Sequence, residues 1–125
     1  MNVPDELKYT EEHEWIRVEG DEIVVGVTDF AQGELGDVVF IELETEGEDL
    51  SRGDTFGTIE AVKTVSDLYM PVDGLVVKVN PALEDTPELV NSEPFGEGWM
   101  IRIKLSDPSQ LDDLIPADKY STMIG

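Results

Sequence analysis

Side chains able to do chemistry are scarce in this chain, so each can be weighed in turn. Cysteine is absent, which removes thiolate nucleophiles, sulfur ligands and any redox couple of the protein's own. His13 is the only histidine. As a metal ligand it lacks a second imidazole or a thiol, and as a base it has no nucleophile beside it. A structural place at a strand start is the plainer reading. The acidic run ETEGED, Glu44 to Asp49, lacks the ligand spacing of a calcium loop and reads as a solvated turn. Lys63 is different. It stands inside GTIEAVKTVSDLYMPVDG (57–74) as the only basic residue between Arg52 and Lys78, in a segment that is otherwise apolar and strand-like.

A catalytic lysine must act as a neutral amine, which calls for desolvation or a neighbouring cation. Glu60 and Asp67 are the charged neighbours in sequence and no cation is near, so a Schiff-base or general-base role is disfavoured. Alternation along the segment puts Ile59 and Ala61 on one face and Thr58 and Glu60 on the other. Beyond the lysine, Leu68, Met70 and Val72 alternate with Tyr69 and Pro71. VKTVSD is then a hairpin tip that projects Lys63 into water. Such a lysine is either a solubilising turn residue or a handle that another enzyme acylates. The apolar, register-locked context favours the handle, because a hairpin rooted in a core presents its tip rigidly.

The elements that must hold this tip are mostly short strands. HEWIRVEGDEIVVGVT reads as a hairpin with a Gly20-Asp21 turn. Thr28 can cap a helical turn that Gly33 and Gly36 end. DVVFIELE, TFGTIEAV and DLYMPVDGLVVKVN read as strands. PALEDTPELVNSEPFGEG reads as loop with short helical turns. WMIRIKL alternates, with Trp99, Ile101, Ile103 and Leu105 on one face and Met100, Arg102 and Lys104 on the other. Near the end, Asp107 is placed as an N-cap, Pro108 at the first helical position and Gln110 three residues after the cap. Leu111, Leu114 and Ile115 give an apolar helical face, Pro116 breaks it, and ADKYSTMI is a second helical piece. Glycines 26, 36, 57 and 74 suit turns or close backbone approach, and Trp15 and Trp99 suit packing. The expectation is one mainly β domain over 1–125, a sandwich or flattened barrel with short helices that include a C-terminal segment.

Charge sets the class of partner. Twenty-nine acidic residues against eight basic ones give a formal charge of -21. A surface of this sign repels nucleic acid and anionic membrane alike. The acids are scattered along the whole chain, which favours adaptation to high salt over a localised acidic docking surface. The start, MNVPDELKYTEEHEW, has no apolar core of a secretory leader, and no run is long enough to span a bilayer. The expected location is the cytoplasm.

YTEEHEWIRVEG, VGVTDFAQGELGDVVFIELE, GTIEAVKTVSDLYMPVDGLVVKVN and LVNSEPFGEGWMIRIKLS, in that order and at that spacing, resemble the H protein of the glycine cleavage system. The likeness runs from about Leu7 to Tyr120. It implies the barrel-sandwich hybrid of the biotinyl/lipoyl-carrier type, and it implies that Lys63 carries lipoic acid as an amide. The family commonly has serine where Ala61 stands. A lipoyl-lysine arm reaches about 14 Å when extended and supplies the sulfurs that the chain lacks. The implied partners are a pyridoxal-phosphate glycine decarboxylase, a tetrahydrofolate-dependent aminomethyltransferase, an FAD-containing dihydrolipoyl dehydrogenase, and a lipoate ligase or lipoyl/octanoyl transferase. The protein would shuttle an aminomethyl group among these enzymes and catalyse nothing itself. The family is thought to fold the loaded arm into a surface cleft, where Glu14 and Asp67 are candidates to hold its ammonium. Glu60 is a candidate for recognition by the ligase. Four rivals stand beside this reading. A biotin carrier usually flanks its lysine with methionines, where Val62 and Thr64 stand here. A 2-oxoacid dehydrogenase lipoyl domain is shorter and lacks the HEW start and the helical end. The others are a lipoate relay protein and an unmodified β interaction module.

Overall fold

The computed structural model describes residues 2–125. Ten strands form in chain order: β1 (Lys8–Tyr9), β2 (Glu14–Glu19), β3 (Glu22–Val27), β4 (Val38–Glu42), β5 (Asp49–Leu50), β6 (Thr55–Ala61), β7 (Val65–Tyr69), β8 (Gly74–Val79), β9 (Ile101–Leu105) and β10 (Ile115–Pro116). The helices are α1 (Asp29–Leu35), α2 (Ala82–Asp85), α3 (Leu89–Ser92), a 3-10 turn at Pro108–Asp113, and α4 (Ala117–Ile124). Seven strands pair in the order β10-β1-β2-β3-β9-β8-β5, and β4-β6-β7 make a second sheet. The protein is thus mainly β, two sheets with short helices and a helical C-terminal end.

Period-two patterning explains the layers. Ile16, Ile23, Val25 and Val27 point from β2 and β3 into the main core between the sheets, where they meet Ile41, Phe56, Ile59 and Leu68. The alternate residues Trp15 and Val24 point the other way, into a second cluster closed by Ala117 and Tyr120 of α4. Each fully buried Val or Ile in these layers contributes roughly 1.5–3 kcal/mol of transfer free energy. Gly26 serves that outer layer: a Cβ there would lie 2.7 Å from the Trp15 ring, so only glycine lets the indole lie flat on β3.

Several local expectations change. DLYMPVDGLVVKVN is two strands in two different sheets, β7 and β8, separated by buried Pro71 and Val72. Proline cannot donate to a ladder, so the segment crosses between sheets there. Gly33 lies inside α1, and Gly36 alone ends it at φ +79°. Met100 is fully buried with Ile101 in the main core, while Trp99 joins the outer cluster; the alternation begins only at β9. Gln110 makes no capping box: its side chain bonds Asp73 at 2.7 and 3.0 Å, and the segment is 3-10. Among the described residues no helix is long and apolar enough to cross a membrane.

Candidate functional site

The lysine hairpin is built by β6 and β7, paired antiparallel from Thr55–Tyr69 to Glu60–Val65. Ile59 and Ala61 anchor it inward, as their alternation requires. Its tip, Val62-Lys63-Thr64, is closed by the Ala61 N–H donating to the Thr64 carbonyl at 2.8 Å. Lys63 is exposed. The tip does not stand free of the body: the Val62 N–H donates to the Asp37 carbonyl at 3.0 Å. The stem of Lys63 lies over Gly36, where a Cβ would come within 3.0 Å of Cε. Asn91 of α3 braces the connection below. Its Nδ2 donates to the Gly36 carbonyl and to Gln32 Oε1, both at 2.9 Å, and its Oδ1 accepts from the Val38 N–H at 2.8 Å.

Beside the hairpin runs a cleft of about 280 Å³. Phe30, Ala31 and Leu35 of α1 form one wall, and Ser66 to Tyr69 of β7 form the other. Ile59 and Leu68 make its apolar base; His13 and Glu14 close its end. α1, which supplies one wall, ends at Gly36, the residue over which the lysine stem lies. Glu14 and Asp67, 53 positions apart in sequence, line this one cavity. Glu60 does not. It pairs with Phe40 on one side and Val65 on the other, on the outer face of the three-stranded sheet.

Glu14 is 2 % exposed, a rare condition for a carboxylate in so acidic a chain. Tyr69 N–H donates to its Oε2 at 3.1 Å, and Thr10 Oγ1 lies a long 3.5 Å from its Oε1. Burial pushes the carboxyl up to about 8, against the pull of the Tyr69 N–H and with a further push from the negative Glu12. No cation is bonded to it, so it is mostly protonated at neutral pH. Glu14 also borders a second opening of about 600 Å³ on its far side, where Arg52 pairs with Asp113 at 3.0 Å. Asp67 is exposed.

His13 takes the structural place expected of it. Its φ of +65° turns the chain into β2, and its Nδ1 lies 2.9 Å from Tyr120 Oη. Tyr120 Oη lies 2.7 Å from Thr28 Oγ1, the side chain that caps α1 by accepting from the Ala31 N–H. α4 therefore steadies one wall of the cleft. Sequence reasoning missed Asn91 and Tyr120 as site-supporting residues. Their role depends on contacts across 53 to 107 positions, and no local signal carries it.

This arrangement has close counterparts among known proteins. The family model described as Glycine cleavage H-protein matches residues 7–125. The chain is 56 % identical over 125 residues to the glycine cleavage system H protein of Staphylococcus carnosus (strain TM300), covering 100 % of this chain and 99 % of that one. It is 56 % identical over 124 residues to the protein of the same name from Bacteroides fragilis, covering 99 % and 98 %. A crystal structure of a glycine cleavage system H protein from Mycobacterium marinum superposes with a TM-score of 0.88 at 36 % identity, over 97 % of this chain and 98 % of that one.

Proposed function

The chain belongs to the glycine cleavage H-protein family, and from that premise we propose that it is a lipoyl carrier whose arm is an amide on Lys63 and whose cleft shelters the loaded end of that arm. The observation that carries the reading is the joint placement of an exposed hairpin lysine and a cleft beside its hairpin that combines apolar side chains with four acids, Glu12, Glu14, Glu34 and Asp67. A hydrocarbon chain suits the walls, and a primary ammonium suits Glu14 and Asp67. The absence of cysteine means that any sulfur chemistry has to be brought by an attached group. When bound, lipoate would supply a dithiolane able to carry an aminomethyl group from a PLP-dependent decarboxylase to a tetrahydrofolate-dependent aminomethyltransferase, its reduced form being the substrate of a dihydrolipoyl dehydrogenase.

The chain's own residues bind, orient and shield. Lys63 Nζ is the attachment point. A lipoate ligase or lipoyl/octanoyl transferase forms the amide between Nζ and an activated acyl carbon. The activating group leaves with the bonding pair, and the amine's protons pass to solvent. The tie between Val62 and Asp37 holds the anchor still. Phe30, Ala31 and Leu35 keep bulk water from the cleft. Glu14 gives up its proton when a cation arrives beside it, and Asp67 adds a second negative charge nearer the opening. Tethering replaces free diffusion between active sites with a high local concentration. None of these roles makes or breaks a substrate bond, which fits a non-catalytic carrier subunit.

The test is intact mass and peptide mapping of the protein purified from its own cells. One lipoyl group on the peptide bearing Lys63 is the expected result, with Lys63→Arg unmodified and inactive in a reconstituted glycine cleavage assay. A biotinyl mass, an unmodified lysine, or full activity of Lys63→Arg would each overturn the reading.

A further inference from the structure

A chain with 29 acidic residues has little reason to leave large apolar side chains in water. Among the described residues six are exposed: Val18, Val39, Phe40, Val62, Val65 and Met123. Val39, Phe40 and Val65 belong to the three-stranded sheet that bears the lysine, and Val62 to the hairpin tip beside it. Val62, at 73 %, and Val65, at 60 %, lie on either side of Lys63. Phe40, Glu60 and Val65 form one row straight across the three strands. Val39 sits at the irregularity between Val38 and Phe40 and is 55 % exposed. The next row is Glu42, Thr58 and Asp67. The patch is therefore apolar, with Glu60 in its midst and Glu42 and Asp67 along one side. In the sheet's own sequence Lys63 is the only cation.

We propose that this outer face, with Phe40, Val62 and Val65 as its apolar anchors, is the docking surface for the enzyme that acylates Lys63, and that the enzymes using the finished arm do not depend on it. The inference rests on Lys63 being the attachment point. Reach separates the two kinds of visitor. An enzyme that forms the amide must bring an activated carbonyl into bonding distance of Nζ itself, so its surface has to cover the tip and the residues beside it. Enzymes that work on the far end of the arm meet it up to about 14 Å away. Charge states the chemistry of the partner: an apolar contact surface bordered by basic side chains that meet Glu42, Glu60 and Asp67. A second copy of this chain fits poorly, because two bodies of charge -21 would set the same acids against one another.

The experiment compares two rates on threonine variants, which keep a β-branched side chain at the strand positions. Phe40→Thr, Val62→Thr and Val65→Thr are made singly and together. Val18→Thr combined with Met123→Thr serves as a control at the exposed apolar positions outside the sheet. Attachment is followed by mass gain of the unmodified protein with a lipoate ligase, lipoate and ATP. Fully loaded protein, obtained by prolonged incubation, is then assayed with glycine decarboxylase. The triple variant is expected to lose on the order of tenfold or more in kcat/KM for attachment, with the loaded form within twofold of the parent at the decarboxylase. The control is expected to match the parent in both. The single variants should show the same order of loss if the triple variant melts early. Unchanged attachment, an equal loss in the control, or a larger loss at the decarboxylase than at the ligase would overturn the proposal. So would a monomer–dimer shift on a sizing column that tracks the substitutions. Failure of the parent itself to accept lipoate would instead sink the attachment reading.

Discussion

Glu14 shows how one residue's surroundings decide its behaviour. Its carboxyl is pushed up to about 8 by burial, from an ordinary value near 4.3. The folded chain therefore binds a proton over the range in which the unfolded chain has lost it. Stability conferred by this site is full below the unfolded value and falls as pH rises toward 8. Glu14→Gln keeps an acceptor for the Tyr69 N–H and cannot ionise. Urea unfolding at pH 5 and pH 8.5 is expected to find the variant close to the parent at pH 5 and more stable by ~2–4 kcal/mol at pH 8.5. A constant difference across that range would mean that Glu14 binds no more protons in the folded chain than in the unfolded one, so that burial does not raise its carboxyl. Lys63 was legible in the sequence because alternation on both sides of it predicted a hairpin, and β6 and β7 form that hairpin. The burial of Glu14 was not legible. It depends on Tyr69 and on the wall made by α1, which no pattern within HEW reports. Nor did the residues alone separate Glu60 from Asp67: both lie on the same face of the hairpin, yet only Asp67 also lines the cleft.

Among the elements, α4 has the least obvious part. Its Tyr120 ring stacks on Tyr9 at 4.5 Å and 6°, while its hydroxyl joins His13 to the Thr28 cap of α1. Tyr120→Phe keeps the stack and removes both polar contacts. It should cost ~1–2 kcal/mol in urea unfolding and speed hydrogen exchange in the first turn of α1 more than in β3. Equal exchange in the two elements would show that the hydroxyl does not steady the cleft wall. Strands with clean alternation, such as β2 and β3, could be read from sequence because period two is a strictly local signal. The break between β7 and β8 could not, since Pro71 sits among apolar residues that read as strand and the change of sheet is decided by what each half packs against. The 3-10 turn at Pro108–Asp113 escaped for a similar reason: Gln110 is drawn to Asp73 across the fold and not to its own cap.

For the molecule as a whole, like-charge repulsion outweighs ion pairing. The ion pairs among the described residues all use arginine: Arg17 and Arg102 on Glu19, Arg102 on Glu22, and Arg52 on Asp113. Exposed pairs of this kind contribute ~0–1 kcal/mol each, against a net charge of -21. Added salt weakens both, but it relieves far more repulsion than it removes attraction, as the screening length falls from about 10 Å at 0.1 M to about 3 Å at 1 M. The melting temperature is expected to climb by several degrees at least from 0.1 M to 2 M KCl. A flat profile would argue against high-salt adaptation. The mooring of Val62 to Asp37 carries a last consequence. On the proposed reading of Lys63, a pivot tied down beside its anchor confines the tether's free end to one small hemisphere. Bulky enzymes that work on that end would have to queue, and each would have to let go quickly enough for the next to take its turn.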